Sequence, residues 1–164
     1  MKYIHLLLAF SLLAALLFAQ APPAPVLTVQ GDIPTALSLT AGDLAKMPRE
    51  TVSVPAPDGT KIVYEGVTLF ELLQKAGAPL GKQLRGKALA TYVLAKAHDG
   101  YQVAFTLGEV DPQFGNQSIL VADQRDGKPL PEKQGPFRLV CPTDKEGARS
   151  VRMLETLEVV RLAK

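Results

Sequence analysis

The sequence predicts an α+β fold, with short strands in mixed sheets and two or so short helices. Three observations carry this. Apolar residues recur in short runs, mostly at every second position, the period of a half-buried strand. Asp-Gly, Pro and Gly punctuate those runs and read as turns. Helical spacing behind a threonine cap is confined to brief stretches. Strands and short helices mixed in this way define the class.

Taken in order, Val26 to Gln30 alternates as a strand and Gly31-Asp32 turns the chain into a second one, Ala36 to Leu39. Thr40 caps a short helix, Gly42 to Met47, which Pro48 closes. Thr51 to Val54 and Lys61 to Tyr64 flank Pro57-Asp58-Gly59 and predict a hairpin. The clearest helix follows: Thr68 and Glu71 have capping-box spacing, Leu69, Leu72, Leu73 and Ala76 share a face, and Gly77 with Pro79 ends it. Gly81 to Lys87 is a polar connector. Ala90 to Ala97 and Tyr101 to Phe105 form a second hairpin about Asp99-Gly100. Thr106 to Val110 reads as one helical turn and Ser118 to Ala122 as a buried strand. Beyond the Gly127 turn come a strand, Phe137 to Cys141, stopped by Pro142, a charged loop from Thr143 to Gly147, and an apolar run from Val151 to Leu162.

The chain has 164 residues, enough for one domain with a sizeable core. Lys2, the apolar run Leu6 to Phe18, and the small residues around Ala19 and Ala21 read as a Sec-type signal peptide over 1–21, leaving a single domain over 22–164 that is secreted or periplasmic. The apolar run is too short for a comfortable transmembrane helix, so no stable membrane span is expected after cleavage. Losing Lys2 leaves 17 basic against 16 acidic residues, with no basic run and no Trp, which disfavours nucleic acid as a partner. One cysteine forms no internal disulfide, and His98 with Cys141 are the only nitrogen and sulfur ligands past the leader, too few for a protein-only metal site.

The segment from Gly127 to Val159 concentrates candidate chemistry. Arg138 projects from a strand, and Arg149 and Arg152 from the return after the charged loop. Three guanidiniums near one loop would cradle a phosphate or other oxyanion, because the planar fork matches such oxygens in pairs. The alternative is that they are solvated strand edges neighboured by Asp144, Glu146 and Glu155. His98-Asp99-Gly100-Tyr101 at a hairpin tip offers either an acid/base histidine and a tyrosine hydroxyl, or simply a turn with a half-buried tyrosine. Gly-x-Ser-x-Gly, phosphate-loop and dinucleotide glycine patterns are absent.

Three tracts in order carry a resemblance: Asp126-Gly127-Lys128-Pro129-Leu130, Gly135 to Pro142, and Gly147-Ala148-Arg149-Ser150-Val151-Arg152-Met153-Leu154. Together they resemble the C-terminal half of the molybdopterin-binding domain of the sulfite oxidase family, in its short exported members. The resemblance implies a mixed fold of that type. It also implies that Arg149, Ser150 and Arg152 contact the anionic pterin cofactor, with Arg138 a weaker contact and His98 and Tyr101 nearby. In that family one cysteine thiolate ligates the metal, shortly before the tract matching Tyr64 to Leu69; here Val52 to Ile62 holds no cysteine, and Cys141 matches a strand residue instead. Gln134 stands where relatives often carry histidine. Loaded enzymes of this kind usually leave the cytoplasm by a twin-arginine signal, and no Arg-Arg pair precedes the apolar run. The expectation is therefore a binding module for a small anionic ligand or an envelope protein partner, with no cofactor. The alternative is a molybdopterin-dependent oxidoreductase, and molybdopterin enters only through the resemblance.

Overall fold

Among the described residues, apolar alternation on ten short strands can be buried only by closing sheets on a common core, which two five-stranded sheets do. The computed structural model describes residues 24–115 and 117–162, so the expected leader lies outside the described residues. The first sheet contains β1 (Leu27–Gly31), β2 (Leu37–Leu39), β5 (Thr91–Ala97), β6 (Gln102–Thr106) and β10 (Leu154–Arg161), ordered β2-β1-β10-β5-β6. Its first and last strands in sequence lie side by side in parallel, Thr28 opposite Thr156, while its other pairs are antiparallel. The second sheet contains β3 (Glu50–Pro55), β4 (Lys61–Thr68), β7 (Leu120–Arg125), β8 (Lys128–Pro129) and β9 (Arg138–Val140). There β4 pairs with β3 and β7, and β7 in turn carries both β8 and β9.

Both predicted hairpins form, and among the described residues three short helices accompany them: α1 (Ala41–Leu44), α2 (Leu69–Lys75) and α3 (Leu107–Val110). Each begins at a threonine whose hydroxyl accepts an amide hydrogen three residues on, which satisfies a donor the first turn would otherwise leave free. The full reciprocal box occurs at Thr40 with Asp43 and at Thr106 with Glu109. At Thr68 only the hydroxyl half is made, because β4 runs straight into the cap and its amide belongs to strand geometry. The connector over 81–87 winds into two 3-10 turns, Gly81–Gln83 and Gly86–Ala90. The last strand begins at Leu154 rather than Val151, since Met153 sits at φ 50° and breaks the extended run.

The main core joins both sheets to the helices. Leu69, Leu72 and Leu73 of α2 are fully buried beside Val67, Val121, Leu139, Val93, Leu157 and Phe105. Each such side chain contributes about 1.5–3 kcal/mol by leaving water. Gly66 permits the close approach of β4 to β7, as a Cβ there would meet the Val121 carbonyl oxygen at 2.0 Å. Beside it a register shift in β4 accompanies a clip in which Arg49 binds both oxygens of Asp123, at 2.6 and 3.1 Å, and Glu65 at 2.6 Å.

A second, smaller apolar cluster decides where the site lies. Period-2 alternation sends Leu139 into the main core and Val140 to the opposite face of the sheet, where it packs with Tyr64, Leu120 and Ala122. Val54 and Ile62, directly opposite each other on β3 and β4, join this cluster but remain only partly buried.

Candidate anion-binding site

Arg138 shares the outward face of β9 with Val140 and opens onto a cavity of about 370 Å³. Its guanidinium lies over the Tyr64 ring, 5.0 Å from the centroid. Nη1 donates to the Tyr64 hydroxyl at 3.0 Å and to Gln134 Oε1 at 2.7 Å. Both acceptors are neutral, and among the described residues no carboxylate pairs with this arginine. Its Nε is buried and unpartnered. A half-buried cation with only neutral partners keeps much of its charge uncompensated, which favours an anion beside it. Burial depresses its proton affinity; Tyr64 opposes that effect, and the charges of Arg152 and Arg125 add to it.

The neighbouring cations come from three elements. Backbone bonds from Leu139 N to Val151 O and from Leu154 N to Phe137 O lay the returning chain along β9, which brings Arg152 to the cavity. Arg125 arrives from the end of β7, held loosely to Asp126 at 3.3 Å, and Lys145 from the charged loop. Arg152 and Lys145 make no hydrogen bond or ion pair among the described residues. Ser150 also lines the cavity, its Oγ accepting from the Cys141 amide at 3.1 Å. The apolar part of the lining comes from Val54, Pro55, Pro57 and Ile62 of the β3–β4 hairpin, with Val54 and Ile62 in the same outer cluster as Tyr64 and Val140.

Arg149 faces elsewhere. It grips Asp144 with two bonds of 2.8 Å, reaches Glu109 at 2.7 Å and Gln117 at 3.2 Å, and lies 5.2 Å from the Phe105 ring centroid. The hydrogen bonds from Arg149 hold the Asp144 carboxyl below its ordinary range. Burial alone would raise Glu109, but bonds from Arg149 and Thr106 outweigh it and lower that carboxyl as well. Arg149 thus ties the loop that forms one cavity wall to α3 and does not line the cavity itself. His98 and Tyr101 lie outside it too. His98 pairs with Glu155 at 2.5 Å on an exposed surface, and the Tyr101 hydroxyl donates to the Ala148 carbonyl at 2.8 Å, bracing the same loop.

Cys141 borders the cavity by position, but its side chain belongs to the main core. The thiol reaches the Arg149 carbonyl at 3.6 Å, and burial, helped by the charge of Asp144, pushes it up to about 11.

Of the residues singled out in the sequence, the cavity gathers Arg138, Ser150 and Arg152. Gln134, noted in the sequence for standing where relatives often carry histidine, lies there too, and the cavity adds Tyr64, Arg125 and Lys145. Tyr64 and Gln134 stand within or beside the tracts that carry the resemblance; nothing local marks Arg125 or Lys145, whose side chains arrive through β7 and the loop.

A two-sheet α+β domain with a basic cavity on one sheet face is the class these features define. The chain belongs to the oxidoreductase molybdopterin binding domain family, whose model matches residues 58–163. Its fold is similar to that of the sulfane dehydrogenase SoxCD from Paracoccus pantotrophus, with a TM-score of 0.65 and 22% identity over 85% of this chain. The match spans 39% of that solved chain, so the likeness is one of fold. No curated protein matches the sequence.

Proposed function

We propose that this chain is an exported binding module that holds a small oxyanion in the Arg138 cavity without a redox metal. The observation that supports it is Arg138 itself: half-buried at the cavity, hydrogen-bonded only to neutral groups among the described residues, with Arg152, Arg125 and Lys145 around it. Positive charge in a cleft of partly low dielectric attracts an anion and holds it with charge-assisted bonds.

Against a molybdenum-pterin group the residues divide. Arg138, Arg152 and Ser150 suit an anionic organic portion. A thiolate for the metal does not fit, since the sole cysteine turns its thiol into the core and resists ionisation, and the hairpin wall carries no sulfur. The second reading, a molybdopterin-dependent oxidoreductase, has in its favour the family match over residues 58–163 and the place of Cys141 at the cavity border.

Metal analysis of protein from its native host separates the two. No stoichiometric molybdenum is expected, and molybdenum at one equivalent overturns the proposal. Calorimetric titration with phosphate and sulfate should show binding that Arg138→Met and Arg152→Ala each weaken at least tenfold; unchanged affinity in both variants discards the cradle.

A further inference from the structure

We propose that two copies of this chain pair through β6, joining their first sheets edge to edge across a two-fold axis. The inference is independent of the anion site and rests on the other sheet. Among the described residues β6 is paired on one side only, by β5, and forms an end of its sheet. The other sheet ends are guarded. β2 spans three residues and β8 two, β3 carries Glu50 and closes on Pro55, and the far side of β9 is taken by the returning chain at Val151. β6 reads Gln102-Val103-Ala104-Phe105-Thr106, with no charge, no proline and no register shift against β5. Edges are blunted by such devices because an open row of amides and carbonyls is a template for another strand.

The ladder fixes which backbone groups are free. Ala97 donates its amide to the Tyr101 carbonyl at 2.9 Å, and on the far side of β5 the Leu162 amide donates to the Ala90 carbonyl at 2.9 Å. Alternation then turns the amides and carbonyls of Val103 and Phe105 into β5 and those of Gln102 and Ala104 outward. Both outward residues are exposed, and among the described residues nothing else bonds their backbone. Beyond them the Thr106 amide is taken by Glu109 at 2.8 Å, and the Gly100 amide by the Ala97 carbonyl at 3.1 Å, so the free edge ends on both sides.

This edge is complementary to itself. In an antiparallel pair with Val103 opposite the partner's Val103, Gln102 exchanges both hydrogen bonds with the partner's Ala104, and the two-fold axis repeats the exchange. Shifting the register either way sets an outward group against the occupied amide of Thr106 or Gly100. The same register places Tyr101 opposite the partner's Phe105, a ring that carries Arg149 at 5.2 Å. Tyr101 is 47% exposed, and pairing covers it on both chains. The occupant is a second copy because its free edge has the same length, and the one register that uses every outward group also buries this aromatic ring. Five residues a side cover less than the roughly 1,200 Å² of a standard interface, so the dimer is of the weak, micromolar kind.

The test is sedimentation equilibrium of protein from its native host, from about one to several hundred micromolar, where the mass should rise from one chain toward two. Ala104→Pro removes an outward amide and leaves the β5 ladder intact, which an edge strand tolerates, and should weaken the dimer at least tenfold. Gln102→Lys should do the same by placing a charge on the edge, while Ser38→Lys on β2 should change nothing. Val103→Cys reads the register. Facing residues of a pair without mutual hydrogen bonds lie about 4.5 Å apart at Cα, so mild oxidation should link two chains through this thiol, the native Cys141 being buried. A parent that stays monomeric throughout overturns the inference and leaves the edge to an extended segment of another protein. A dimer of full strength in Gln102→Lys, or a dimeric Val103→Cys that does not cross-link, overturns it as well. Melting curves check each variant for folding; if Ala104→Pro does not fold, Gln102→Lys and the cross-link decide.

Discussion

Replacing Arg138 by methionine should make the protein more stable and less functional at once. The guanidinium is half-buried against two neutral acceptors, with its buried Nε unpartnered and two further arginines repelling it. An unsatisfied buried donor costs about 1–3 kcal/mol. Desolvating the charge costs several kcal/mol more. Two hydrogen bonds from a charged donor return roughly 1.5–3 kcal/mol each, which leaves a net penalty on the order of 1 kcal/mol. Methionine fills similar space with a flexible apolar chain. In anion-free buffer Arg138→Met should therefore melt about 3 °C above the parent, at roughly 2–4 °C per kcal/mol for a domain of this size. With ligand at a hundredfold its dissociation constant the parent gains about 2.7 kcal/mol, or about 8 °C, and the variant gains nothing. The order of melting temperatures inverts on adding ligand. Scanning calorimetry with and without phosphate measures both halves. A variant melting more than about 5 °C below the parent without anion would make Arg138 a structural keystone, and a retained ligand shift would remove it from the site.

Arg149→Met should act in the opposite sense, since it strands Asp144 and Glu109. The arginine is partly exposed, so the loss falls between that of a surface pair and a buried one, about 2 kcal/mol or roughly 6 °C, read from the same melts. Acid should reproduce this effect. Both carboxyls titrate lower in the folded protein than in the unfolded chain, so their contribution is complete above about pH 5 and is lost as pH falls through 4 toward the lowered folded values; melts between pH 6 and pH 3 should show that loss, flattened in Arg149→Met. The Cys141 thiol, pushed up to about 11 and buried, should resist a maleimide at pH 8 in the native protein and react within minutes in guanidinium; fast native labelling would place the thiol in the cavity after all.

Local rules made much of the architecture legible. Threonine caps at Thr40 and Thr68, the single helical turn at Thr106 to Val110, the Asp58-Gly59 and Asp99-Gly100 turns, and alternation along β5 each depend on residues a few positions apart, and all of them appear in the fold. The family is legible for a similar reason, because its tracts are contiguous. Arg149 and Arg152 mark the boundary of such reasoning. They stand three positions apart in the same tract, but a 3-10 turn at Gly147–Arg149 and the buried Val151 between them send one guanidinium to Asp144 and Glu109 and the other to the cavity. Nothing in a one-dimensional string says on which side of a loop a long flexible side chain finds its counter-ion.

The sequence by itself determined the class of fold, the order of its strands and helices, the family, and the presence of a single thiol. Tertiary structure alone decided that β1 and β10 pair in parallel, that Arg125 and Lys145 join Arg138 and Arg152, that Arg149 braces the loop, and that the thiol turns into the core. The physical reason is one of range. Caps, turns and alternation are satisfied by neighbours in the chain, whereas a charge is satisfied by whatever lies within a few ångströms of it in space, and only the closed sheets bring those groups together.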